Sequence, residues 1–136
     1  METLSKGWKR GFEVAGAASL LSNAPTWGAK MGAALFSGSK LLSVGCNTYN
    51  KTSPFTNDFK NGSTHAEISA MLRRRYYDKS SNLILYIYRT TTNARRTIEK
   101  NACSRPCHNC MREIISFGIR RIRFFDENGF PTELKI

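Results

Sequence analysis

Two short segments of the sequence carry residues that could bind a metal ion and perform acid–base chemistry. The segment HAE places His65 two residues before Glu67, and the later segment PCHNC places Cys107 three residues before Cys110. Histidine nitrogen and cysteine sulfur are typical zinc ligands, and three protein ligands leave a fourth position for water, as in catalytic zinc sites. A carboxylate two residues from the histidine can move protons to and from that water without binding the metal. The spacing therefore predicts a catalytic Zn2+ site with ligands His65, Cys107 and Cys110 and with Glu67 as general acid–base.

Both segments are expected at the beginnings of helices. One helix is predicted from residue 63 or 64 to about 77, and another over CHNCMREIISFG, ending at Gly118 with Ile114 and Ile115 facing inward. The N-terminal end of a helix lowers the pKa of a nearby thiol and so favours the thiolate that binds zinc. Two such helix ends facing each other would hold the ion.

The other predicted elements complete an alternating pattern of helices and strands. Residues 90–104 are predicted to form a long polar loop without an element of its own. The order α-β-β-α-β-α-β indicates a three-layer α/β/α domain in which helices cover a central mixed sheet. The remaining elements are a helix over 5–21, a β-hairpin with strands 31–37 and 40–46, a buried strand over 83–89, and a strand over IRRIRFF, to which TELKI could add a last short strand.

Length and composition suit one folded domain spanning residues 1–136. The chain is 40% hydrophobic and 23% charged, and no apolar run approaches the ~20 residues that span a bilayer, so no membrane partner is expected. Glu13 interrupts the short apolar stretch near the N-terminus, which favours a mature helix over a signal peptide. The close C-x-x-C pair follows a histidine and so indicates metal or redox chemistry rather than disulfide bonds. We therefore predict a reducing, cytoplasmic location with Cys46 and Cys103 as free thiols.

The two chemical segments match the pattern H-x-E…P-C-x-x-C, which is a signature of zinc-dependent base deaminases. From about Met31 to Phe125 the chain resembles the cytidine/deoxycytidylate deaminase superfamily. This resemblance implies a cytidine-deaminase-like fold and hydrolysis of cytosine to uracil, most simply in a (deoxy)cytidine nucleotide such as dCMP. Glu67 would protonate the ring nitrogen and then the leaving ammonia. Many relatives are oligomers, so a homo-oligomer is a further expectation.

The resemblance also implies which residues contact the substrate. The segment GCN at 45–47 is similar to the substrate loop of the superfamily, where the asparagine holds the sugar or base; a turn residue is the alternative for Asn47. Either Phe124 or Phe125 could line the pocket mouth, while the other packs in the core. The substrate-binding residues predicted in this way are Asn47, Ala66, Ser104, Arg105, Pro106 and Phe125.

The substrate class stays open at this stage. Lysine and arginine number 21 against 10 acidic residues, for a net charge of +11, which favours phosphate-bearing partners but also fits solubility. The basic residues Arg95, Arg96, Lys100 and Arg105 could hold a nucleotide phosphate or remain solvated. One alternative is a base deaminase acting on cytosine or adenine in single-stranded DNA or RNA. Another is a structural zinc module with Cys103 or His108 as fourth ligand.

Overall fold

A mixed β-sheet forms the centre of the protein. The computed structural model describes residues 4–23, 29–48, 65–72, 82–92, 98–99 and 103–136. The helices are α1 (Lys6–Ser19), α2 (Ala66–Leu72) and α3 (His108–Phe117), and the strands are β1 (Lys30–Ser37), β2 (Lys40–Cys46), β3 (Leu83–Thr92), β4 (Ile98–Glu99), β5 (Arg121–Phe125) and β6 (Pro131–Lys135).

The strands lie in the order β2-β1-β3-β5-β6, and the short β4 pairs with the end of β3. The pairs β1–β2, β1–β3 and β5–β6 are antiparallel, whereas β3–β5 is parallel. It follows that β2, β3 and β5 run in the same direction and that their carboxyl ends lie at the same end of the sheet. This arrangement confirms the predicted α/β fold with a central mixed sheet.

The two faces of the sheet are covered by different helices. Successive residues of a strand point to opposite faces, so Ala34 packs towards Phe12 of α1 while Ala33 packs towards α2 and α3. Residues 83–87 of β3 are all buried, as expected for a strand covered on both faces. The protein therefore has three layers, with α1 on one side and α2 and α3 on the other.

The helix α1 is amphipathic and is fixed at its start by Ser5, whose hydroxyl accepts a hydrogen bond from the backbone N–H of Trp8 at 3.3 Å. Its buried side includes Gly11, where a Cβ atom would collide with the ring of Tyr86. A larger residue at this position would hold α1 away from the sheet. Within the described part of the chain, no helix is long and apolar enough to cross a bilayer.

Most element predictions are confirmed, and two details are wrong. The hairpin lies as predicted, and α3 ends at Gly118, whose φ of 100° is in the left-handed region that favours glycine. Ile115, however, is 52% exposed while Ile114 is buried, because α3 covers the sheet with a single stripe. The segment 90–104 is not free of structure, because β3 continues to Thr92 and pairs with β4.

The outer parts of the predicted second helix, residues 63–64 and 73–77, lie outside the described residues.

Candidate active site

The first half of the site is built at the start of α2. His65 directly precedes the helix, and its carbonyl accepts the backbone N–H of Ser69 at 2.9 Å. Gly45 of β2 lets the helix lie close to the sheet, since a Cβ there would collide with the backbone nitrogen of Ala70 and come within 2.8 Å of the carbonyl oxygen of Ala66. The close approach buries Ala66 completely and leaves Glu67 only 1% exposed. The start of α2 is thus held firmly against the carboxyl end of β2.

The second half is built at the start of α3. Cys107 is the N-cap residue, and its sulfur accepts the backbone N–H of Cys110 at 3.4 Å. Its carbonyl accepts the N–H of Met111 at 2.9 Å, which closes the first turn of the helix. Cys110 is fully buried, whereas Cys107 lies nearer to solvent. The C-x-x-C spacing therefore places both sulfurs at one helix end.

The two helix starts bring the three predicted ligands together. His65 Nδ1 lies 3.3 Å from Cys110 Sγ and 3.7 Å from Cys107 Sγ, and all three ligand atoms lie within 4.8 Å of one another. Tetrahedral zinc, with bonds of about 2.0 Å to nitrogen and 2.3 Å to sulfur, separates such atoms by about 3.5 Å. The donor set and its spacing therefore fit Zn2+. His108 is exposed and does not belong to this cluster.

The electrostatics of the cluster favour a thiolate. Hydrogen bonding from the Cys110 thiol and backbone lowers the pKa of Cys107 to about 4. The same contact, with burial, raises the pKa of Cys110, and the hydrogen bond to Cys107 raises the pKa of His65. These directions describe a compact, mutually hydrogen-bonded group in which negative charge collects on Cys107, as a metal ligand requires.

Glu67 lies beside the cluster without a complete set of protein partners. Its Oε1 atom is buried and has no hydrogen-bond partner, and burial raises the pKa of the carboxyl group. Buried polar atoms in folded proteins nearly always have a partner, and an exception calls for an explanation. A carboxyl group held beside three ligand atoms, with one oxygen free, is equipped to exchange protons with a ligand.

Asn47 is buried and its side chain is engaged by the backbone that precedes and begins β1. Its Nδ2 donates to the carbonyl of Ala29 at 2.9 Å, and its Oδ1 accepts the N–H of Met31 at 2.9 Å. Its own carbonyl accepts the hydroxyl of Ser22 at 2.8 Å. The structure thus shows Asn47 joining three segments, and its predicted substrate contact stays a prediction.

The segment before Cys107 is pinned to the sheet by Ser104. This fully buried residue donates through its hydroxyl to the carbonyl of Ile87 at 2.9 Å and accepts the N–H of Phe125 at 2.9 Å. Its backbone N–H donates to the carbonyl of Phe125 at 2.9 Å. Pro106 is buried as well. Ser104 therefore bridges the parallel strands β3 and β5, and the predicted substrate roles of Ser104 and Pro106 stay predictions.

The remaining predicted contacts lie in different environments. Arg105 is exposed, pairs with Glu127 at 3.0 Å, and stands over the ring of Phe124 at 4.9 Å. Phe125 is fully buried on the α1 face, 4.6 Å from the ring of Phe12, so Phe124 is the one of the pair that shares the face of the zinc ligands. The substrate roles predicted for Ala66, Arg105 and Phe125 stay predictions. Arg95, Arg96 and Lys100 lie outside the described residues.

One charged residue on the site's side of the sheet was missed by sequence reasoning. Arg89 of β3 has a buried Nε atom without a hydrogen-bond partner. The only sequence signal was a cation at the end of the apolar run LILYIY, which is also common where a buried strand reaches solvent.

Comparison with known proteins agrees with this geometry. Residues 9–126 match the family described as the cytidine and deoxycytidylate deaminase zinc-binding region. A search of curated protein sequences found no match.

Among solved structures, a cytidine deaminase from Burkholderia pseudomallei is similar at 19% identity and a TM-score of 0.64, over 97% of this chain and 93% of that one. A dCMP deaminase from the cyanophage S-TIM5 is similar at 19% identity and a TM-score of 0.57, over 88% of this chain and 82% of that one in its apo form. The same phage enzyme in complex with dCMP and dUMP matches equally well. At these identities the likeness shows the fold.

Proposed function

Because the chain belongs to the cytidine and deoxycytidylate deaminase family, whose cofactor is Zn2+, we propose that it hydrolyses cytosine to uracil and ammonia in a (deoxy)cytidine nucleotide such as dCMP. The single observation that carries the proposal is the free, buried Oε1 of Glu67 beside the cluster of His65, Cys107 and Cys110. A structural zinc site needs no such carboxyl group, and a fourth protein ligand would close it.

The roles of the residues follow from their positions. His65, Cys107 and Cys110 would hold the zinc ion, which would supply the activation of water at neutral pH. Glu67 accepts a proton at its free carboxylate oxygen and delivers protons to the ring nitrogen and to the departing ammonia. The buried surroundings of Glu67 exclude competing water from this transfer. Cytosine and water are consumed, and uracil and ammonia are formed, so atoms and charge balance.

A second candidate is deamination of a base, cytosine or adenine, within single-stranded DNA or RNA. The net charge of +11 favours it, because a polymer engages several cations at once. A target base inside a duplex would have to be flipped out or already unpaired. The phosphorylated monomer is preferred because a dCMP deaminase is among the solved structures of similar fold.

The first test is the variant Glu67→Gln, which keeps the size of the side chain and removes the proton carrier. Zinc content and fold should be unchanged, while kcat should fall by about 10²- to 10⁴-fold, the usual contribution of general acid–base catalysis. Ammonia and uracil are assayed with dCMP, cytidine, and single-stranded DNA and RNA. The matched control is Glu13→Gln, the same change at an exposed position of α1.

Near-normal turnover by Glu67→Gln would show that the assignment of Glu67 is wrong. If the wild type with one zinc per chain is inert on every substrate, a structural zinc site is the better explanation.

Monomer and polymer substrates are separated by the salt dependence of binding to a short cytosine-containing strand. A log–log slope steeper than about −2, given about −0.7 per neutralised phosphate, together with deamination of the strand and none of dCMP, would favour the second candidate.

A further inference from the structure

Two side-chain atoms in the described part of the chain are buried without a hydrogen-bond partner: Glu67 Oε1 and Arg89 Nε. About nine in ten or more buried polar groups in folded proteins have a hydrogen-bond partner, so each exception is a candidate for contact with a ligand. The proposed chemistry uses the carboxylate of Glu67. The proposed reaction assigns no role to the guanidinium of Arg89.

Arg89 lies on the same face of the sheet as the zinc ligands. Side chains of a strand alternate between faces, and Leu85 and Ile87 of β3 belong to the core cluster that includes Cys110. Arg89 is two residues beyond Ile87, so it points to the same side. Met31, its antiparallel partner on β1, packs against that same cluster.

Arg89 also lies at the same end of the sheet as the site. The carbonyl of Ile87 accepts the hydroxyl of Ser104, and Ser104 is three residues before Cys107. Arg89 is farther still towards the carboxyl end of β3.

Contacts between β2 and α2 also place Arg89 at the end of the sheet where α2 begins. On β2, the hydroxyl of Ser43 donates to the carbonyl of Ala70 at 2.8 Å, and Gly45 lies against the backbone nitrogen of Ala70 and the carbonyl oxygen of Ala66. The strand therefore passes from the later part of α2 towards its start. Asn47, two residues farther, lies opposite Met31 of β1 and donates its N–H to the Met31 carbonyl. Arg89 of β3 lies opposite Met31 on the other side.

The guanidinium of Arg89 is oriented by a neutral carbonyl group. Its Nη1 donates to the carbonyl of Cys103 at 3.4 Å, a long bond to a neutral group. Among the residues whose side chains the structure describes, no carboxylate pairs with Arg89, whereas Arg105 pairs with Glu127 and Arg123 pairs with Glu133, each at 3.0 Å. A partly buried cation whose buried Nε atom has no hydrogen-bond partner favours an anionic ligand.

We propose that Arg89 binds the phosphate group of the substrate and thereby selects a nucleotide over the corresponding nucleoside. The inference rests on the proposed function. The Nε edge of a guanidinium offers two parallel N–H donors, which match two oxygens of a phosphate. Because the Nε atom is buried, the phosphate must enter the site itself, which suits the terminal monoester of a mononucleotide better than a phosphodiester that continues on both sides.

The experiment compares kcat/KM for dCMP and deoxycytidine in the zinc-loaded wild type and in Arg89→Gln. The dCMP-to-deoxycytidine ratio should fall about 10- to 100-fold, as expected for loss of a charged hydrogen bond, while turnover of deoxycytidine changes less than about threefold. The control is Arg120→Gln, which removes an exposed arginine whose N–H bonds Leu83 at the other end of β3. It should leave the ratio unchanged.

Arg89→Lys is the second variant, in case the first does not fold. Lysine keeps the positive charge but cannot donate two parallel hydrogen bonds. The dCMP-to-deoxycytidine ratio of kcat/KM should therefore fall by a smaller factor, about three- to tenfold. An unchanged ratio in a folded variant would overturn the proposal, and so would an equal loss with both substrates, which marks a purely structural role.

Binding separates failure of this inference from failure of the proposed function. If the wild type deaminates neither substrate, the proposed function fails, and calorimetry with dUMP and deoxyuridine still tests Arg89. Tighter binding of dUMP that Arg89→Gln abolishes would support the phosphate site. Equal binding of the two, or no binding, would overturn it. A loss confined to a single-stranded oligonucleotide would show a phosphodiester contact and overturn the commitment to a monoester.

Discussion

Replacing Ser104 by alanine tests whether the segment before the zinc cysteines is held by one hydroxyl group. The side chain is fully buried and makes two hydrogen bonds of 2.9 Å, to the carbonyl of Ile87 and from the N–H of Phe125. The substitution leaves both backbone groups buried and unpaired, at about 1–3 kcal/mol each. The expected loss in unfolding free energy is therefore about 2–6 kcal/mol, a large part of the ~5–15 kcal/mol typical of a domain.

The same substitution should weaken zinc binding, because Ser104 fixes the start of the chain that leads to Cys107. Denaturant unfolding of the zinc-loaded protein measures the stability, and competition with a chelator measures metal retention. The matched control is Ser43→Ala, which removes a hydroxyl with a single bond, to Ala70 at 2.8 Å, and should cost about 1 kcal/mol. A loss no larger than in the control, with unchanged zinc retention, would refute the reasoning.

Three further substitutions test the candidate metal ligand Cys107 and the glycines that position α2 and end α3. Cys107→Ala should lose most of the zinc, measured by elemental analysis, and should lower the melting temperature, because metal binding contributes to folding; folded wild type without zinc would contradict the metal assignment. Gly45→Ala places a Cβ against the backbone of α2 and should cost about 1–3 kcal/mol by denaturant unfolding, with reduced activity because the start of α2 moves. Gly118→Ala meets no neighbouring atom, so its cost, about 1 kcal/mol, should come from the positive φ alone and leave zinc content unchanged.

The parts of the structure that depend on local pattern could be predicted from the sequence. The β-hairpin follows from two apolar runs around Gly38, whose φ of 59° lies in the left-handed region. The end of α3 follows from Gly118. The grouping of His65, Cys107 and Cys110 followed from ligand types and spacing, because few other arrangements of those residues serve a metal.

Details that depend on distant neighbours could not be predicted. Ile114 and Ile115 are equally apolar, and only the packing of α3 shows that a single stripe is buried. Phe124 and Phe125 must face opposite sides of the sheet, but the sequence does not show which side carries the zinc ligands. The continuation of β3 to Thr92 depends on pairing with β4, a contact between polar segments with no strong strand pattern. Arg89 was missed because the lack of a partner is visible only in the folded chain.

The direction of the strands explains why segments far apart in sequence meet at one site. β2, β3 and β5 run in the same direction, α2 lies between the first two in the chain, and α3 lies between the last two. A connection between strands of the same direction must cross the length of the sheet, so α2 and α3 each begin near the shared carboxyl ends of β2, β3 and β5. The starts of α2 and α3, with His65 and Cys107, are therefore brought to the same end. Asn47 after β2 and Arg89 near the end of β3 lie there for the same reason, so the topology that brings the starts of α2 and α3 together also places a cation at that end of the sheet.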